Sequence, residues 1–118
     1  MNAMWDLVSG LGILVYVGTG RMKHLADAHL ALWSTDDDRD NKTASVLMAC
    51  LVLQWAWMRL ITALDPVNHW QDAVYSYWLE GSLVAAAVFV GRMHRGSGAA
   101  VVALCIGCAG AVMADALQ

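Results

Sequence analysis

LVLQWAWMRLITAL, residues 51–64, reads as a helix suited to lipid except at one position, Arg59. A guanidinium near the centre of a bilayer costs about 2.5–3.5 kcal/mol on insertion scales, so such a residue needs a partner, a watered cavity or an interface within reach. The reading of Arg59 therefore depends on where a bilayer would lie along the chain.

Composition favours a bilayer. Of the 118 residues, 59% are hydrophobic and 14% charged, against roughly 45–50% and 25% in soluble domains. The formal net charge of −3 gives no basic surface for nucleic acid. A hydrocarbon core about 30 Å thick takes roughly 20 helical residues. Four runs approach that length, at about residues 4–20, 44–64, 73–91 and 98–117, and the first is the shortest. The expected fold is all-α: four transmembrane helices in an antiparallel bundle, forming a single integral membrane domain over 1–118.

Lys and Arg outside the spans give an independent check, because they accumulate in short cytoplasmic loops. None precedes the first span. Arg21, Lys23, Arg39 and Lys42 follow it, none lies in 65–72, Arg92 and Arg95 lie in 92–97, and none follows the fourth span. This alternation predicts a bacterial cytoplasmic membrane protein with both termini outside and segment 21–43 in the cytoplasm. No positive n-region precedes the first run, so that run is expected to remain in the mature protein.

Within 21–43, Met22, Leu25, Ala26, His29, Leu30 and Trp33 share one helical face. The pattern fits a short amphipathic helix on the interface or a continuation of the first helix beyond the lipid. Asn41 or Thr43 can cap the second span. Asp36, Asp38 and Asp40 have the spacing that opens a calcium loop, but Asn41 and Leu47 stand where that loop requires Gly and Glu. His24, His29, His69 and His94 lack metal-ligand spacing. The expectation is no metal, no cofactor and no catalytic constellation, hence no enzyme.

Aromatic residues Trp5, Trp70, Tyr75, Tyr77 and Trp78 gather toward the predicted outer side, and Trp33 sits in the cytoplasmic segment. Trp5, Trp33, Trp70, Tyr75 and Trp78 are the expected interfacial anchors. Cys105 and Cys108 form a CxxC, but in lipid the thiolate that exchange chemistry needs is disfavoured. The same helix carries a stripe of small residues, Ala103, Gly107, Gly110, Ala111 and Ala114, that would permit close helix packing within the chain or between copies. A homo-oligomer in the lipid bilayer is expected, with an unidentified membrane partner as the other prospect.

Short length, Gly- and Ala-rich spans, a charged cytoplasmic segment and two methionines in MNAM, Met1 and Met4, together resemble the phage holins. That resemblance implies a small inner-membrane protein that oligomerises and permeabilises the bacterial membrane in phage lysis, with two start sites as in some holins. The alternatives are a small four-helix transporter or channel using Glu80, the single charge in the third run, and a non-catalytic accessory subunit of a membrane complex. The small multidrug exporters have a similar length and span count but carry their carboxylate in the first helix, where this chain offers only Asp6, at the edge of the run. Arg59 and Glu80 lie on either side of the second loop at similar predicted depth. They are expected to form an intramembrane ion pair, with Trp55 as a cation–π neighbour and Asp65 as a competing anion.

Overall fold

The computed structural model describes residues 3–21, Leu32 and 41–118. These form four helices and no strand: α1 (Ala3–Thr19), α2 (Lys42–Leu64), α3 (Pro66–Phe89) and α4 (Arg95–Ala116). Met22 to Ala31 and Trp33 to Asp40 lie outside the described residues, and with them the proposed amphipathic helix, the Trp33 anchor and the Asp36, Asp38 and Asp40 cluster.

Each helix packs antiparallel on its neighbour in sequence. Gly10 of α1 faces Leu53 and the Ala49 carbonyl of α2. Thr62 Oγ1 near the end of α2 donates to the His69 carbonyl of α3 at 2.6 Å. Gly98 at the start of α4 meets Val88 of α3, and Gly81 meets Cys105 one helix across. At Gly98 an added Cβ would fall 2.1 Å from Val88 Cγ2, so the close approach depends on the missing side chain.

Local chemistry fixes the ends. Asn41 rather than Thr43 caps α2, its side-chain oxygen accepting from Ala44 N–H at 3.0 Å. Asp65 alone links α2 to α3: Pro66 occupies the first turn, and Asp65 accepts from Asn68 N–H and from the Asn68 side-chain amide at 2.8 Å. The polar stretch 66–72, expected as a loop, is thus two helical turns, so α3 begins well before the apolar run at 73. Gly91, at φ 78°, ends α3. Its N–H donates to the Val88 carbonyl and Arg92 N–H donates to the Ala87 carbonyl, the paired bonds that close a helix through a left-handed residue. His94 N–H then donates to the Leu32 carbonyl at 3.0 Å, which places Leu32 at the α3–α4 turn.

The apolar core is divided. Ile13 and Ala49 join α1 to α2, while Ala73, Tyr77, Cys105 and Ala109 join α3 to α4. Beside these clusters and buried Val52, Trp55 and Ala56 of α2, the interior holds a polar set: Asp6, Ser9, Ser45, Arg59, Thr62, Ser76 and Glu80 are all buried. The surface is the reverse, with Met4, Trp57, Leu79, Phe89, Leu104 and Ile106 among its exposed large apolar side chains. Two helices, α2 and α4, are long and apolar enough to cross a membrane, and α1 is a shorter apolar helix.

Candidate functional site: a buried charge cluster

Arg59 sits at the junction of three helices. Its Nη2 donates to Glu80 Oε2 of α3, its Nη1 to Asp6 Oδ2 of α1, and its Nε to Ser76 Oγ at 3.0 Å. The Ser76 hydroxyl in turn donates a hydrogen bond to the Ala73 carbonyl at 2.7 Å. The guanidinium carbon lies 4.0 Å from the centre of the Tyr77 ring. Asp6, Arg59 and Glu80 are 2%, 4% and 5% exposed. A fork of five donors is thereby aimed at two carboxylates, a hydroxyl and an aromatic face, a set of contacts that a point-charge ammonium would not match.

The geometry departs from simple depth counting. From the Asp65 turn, Arg59 lies six residues back and Glu80 fifteen forward, roughly 9 and 22 Å along the two axes at the usual helical rise. The gap closes because Cα–Cβ bonds tilt toward a helix N-terminus. In α2 that direction carries Arg59 away from the turn, and in the antiparallel α3 it carries Glu80 toward the turn. The long guanidinium stem therefore reaches inward instead of snorkelling outward past Leu64.

The structure brings Arg59 and Glu80 together and adds a third member. Asp6, read from the sequence as the edge of the first run, is inside the bundle. The sequence bears on which face Asp6 shares but not on its partner: in AMWDLVSGLGI, Asp6, Ser9 and Ile13 fall at i, i+3 and i+7, a polar-to-apolar stripe on one face. Tyr77, not Trp55, supplies the ring over Arg59, and Tyr77 is buried rather than interfacial. Asp65 is committed to capping α3, and its bond from Asn68 holds the carboxyl below the ordinary carboxylate value.

Trp5, Tyr75 and Trp78 are exposed and Trp70 is half-buried. Trp57 of α2, not among the anchors expected from the sequence, is exposed as well. The small residues Ala103, Gly107, Gly110, Ala111 and Ala114 do not pack within the chain. All five are exposed, and an added Cβ at Gly107 or Gly110 would have no neighbour within 4 Å. α4 packs instead through Val101, Cys105, Cys108, Ala109 and Val112. One buried side-chain polar atom among the described residues lacks a hydrogen bond, Ser9 Oγ, one turn from Asp6 on the same face of α1.

Against known protein families, curated proteins and solved structures, the chain has no match.

Proposed function

We propose that the chain is an integral membrane protein that crosses the bacterial cytoplasmic membrane four times, with both termini outside, and that copies associate through α4 to permeabilise that membrane in a holin-like manner. The observation that carries this reading is that α4, the more apolar of the two longest apolar helices, is also the less buried. Its Ala103 to Ala114 face is open, and small residues let backbones approach closely in lipid. The inverted distribution of polarity, charges within and apolar side chains without, supports the lipid environment. α1 and α3 cross alongside α2 and α4 because each is paired with one of them, and Arg59 offsets the cost of carrying Asp6 and Glu80 inside.

A second reading, a small transporter or channel that uses Glu80, draws on the charge cluster itself. A membrane-embedded ionisable group is a functional-site hypothesis by default, and Asp6, expected at the edge of the first run, is a buried carboxylate on the first helix. Controlled expression in bacteria separates the two. A holin-like protein collapses the membrane potential abruptly after a delay and releases a co-expressed cytoplasmic cell-wall hydrolase, and a transporter does neither. Normal growth at high expression, with no leakage, would instead favour an accessory subunit.

A further inference from the structure

The buried cluster is not charge-balanced. One guanidinium faces two carboxylates, Asp6 from α1 and Glu80 from α3. With all three ionised the interior would carry a net negative charge, and isolated charge in an apolar setting is neutralised before it is tolerated. Two carboxylates drawn to one site repel each other, so one of them is the place where a proton is held. We propose that the Asp6–Arg59–Glu80 cluster is a proton-binding site that holds one exchangeable proton per chain, shared between the two carboxylates.

The surroundings fit a proton better than a metal cation. No group of three or more His, Cys, Asp or Glu among the described residues could hold a metal ion. The groups facing the cluster are few. α1 contributes Asp6, α2 contributes Arg59 and α3 contributes Tyr77 and Glu80, while α4 brings the Cys105 thiol to Glu80 and Cys108 near Tyr77. Each carboxylate has one oxygen on Arg59, and at Glu80 the Cys105 thiol also reaches the carboxylate. The unpaired Ser9 hydroxyl, on the face of α1 that carries Asp6, marks an unsatisfied polar position beside the cluster. Because the three members come from three helices, uptake or release of the proton changes what holds α1, α2 and α3 together. This inference does not depend on whether the protein permeabilises the membrane or transports a solute.

Infrared spectroscopy of the full chain in lipid nanodiscs at neutral pH tests it through the carbonyl stretch of a protonated carboxylic acid, with exchange into deuterated buffer to assign the band. Wild type is expected to show one such group per chain. Asp6→Asn and Glu80→Gln each leave a balanced pair and should lose the band. Arg59→Leu, where it folds, should raise the count to two. Absence of the band in wild type would overturn the proposal, and a stabilisation by sodium ions in that case would assign the missing positive charge to an inorganic cation. A band that survives in either Asp6→Asn or Glu80→Gln would also overturn it, because the proton would then reside elsewhere.

Discussion

Arg59 and Asp6 are 53 positions apart in sequence and joined side chain to side chain in the interior of the bundle. Through that contact α1, the shortest of the described helices, is tied to the same guanidinium that binds α3. Loss of Arg59 strands two carboxylates at once. Removing one partner of a buried ion pair costs about 3–5 kcal/mol, since the charge left behind is uncompensated. Arg59→Leu should therefore reduce accumulation and thermal stability in detergent more than Asp6→Asn or Glu80→Gln. The exchange Arg59→Glu with Glu80→Arg places a new carboxylate against Asp6, so it should recover less than the same exchange combined with Asp6→Asn. Wild-type melting of Arg59→Leu would remove the cluster from any structural role.

Tyr77 covers the guanidinium with its ring. A desolvated contact of this kind contributes about 2 kcal/mol, and it needs the ring rather than the hydroxyl. Tyr77→Phe should melt close to wild type and Tyr77→Leu clearly below it. Equal losses in the two variants would show that the hydroxyl, not the aromatic face, carries the effect.

Gly98 and Gly107 make opposite demands. A side chain at Gly98 collides with Val88, whereas one at Gly107 meets nothing within the chain. Gly98→Leu should unfold the α3–α4 hairpin. Gly107→Leu should leave the monomer's thermal stability within about 0.5 kcal/mol of wild type, as for a surface change, while shifting sedimentation from oligomer toward monomer. If Gly107→Leu sediments like wild type, self-association through this face of α4 is wrong. The permeabilisation reading would then lose its carrying observation.

At the α2–α3 turn, half-buried Asp65 is held below the ordinary carboxylate value by its bond from Asn68. A carboxyl whose folded value is depressed contributes stability that is complete above its unfolded value. The contribution falls away as pH drops from there through the lowered folded value. Wild type should lose a small increment of helix stability below the normal Asp range. Asp65→Asn keeps a capping oxygen and should lose that acid dependence, as read by helicity against pH. An identical acid profile in the variant would assign the dependence to another group.

Reporter fusions test the topology. Fusions at Gln118 and near Ser97 should give opposite signals in cells, because they stand at the two ends of α4. A cytoplasmic signal at Gln118 would reverse the orientation inferred from the Lys and Arg count.

Composition and periodicity were enough to indicate four helices, a cap for α2 at Asn41 or Thr43 and the meeting of Arg59 with Glu80, because each rests on local spacing or on folding back across one short loop. The start of α3 was also written locally, in Asp65 and Pro66, but a ruler that measures only apolar runs passes over helical turns made of polar residues. What the sequence could not decide is what each helix faces. A helical residue's neighbour depends on the rotation and tilt of two packed cylinders, and that is how Tyr77 rather than Trp55 came to lie over Arg59. It is also why the small-residue face of α4 points out of the chain while Cys105 and Ala109 point in. Asp6 shows the limit most clearly. Its membership in the cluster required α1 to lie against α2 with a register fixed by Gly10 against Leu53, a long-range fit of shapes that no spacing within residues 3–19 contains.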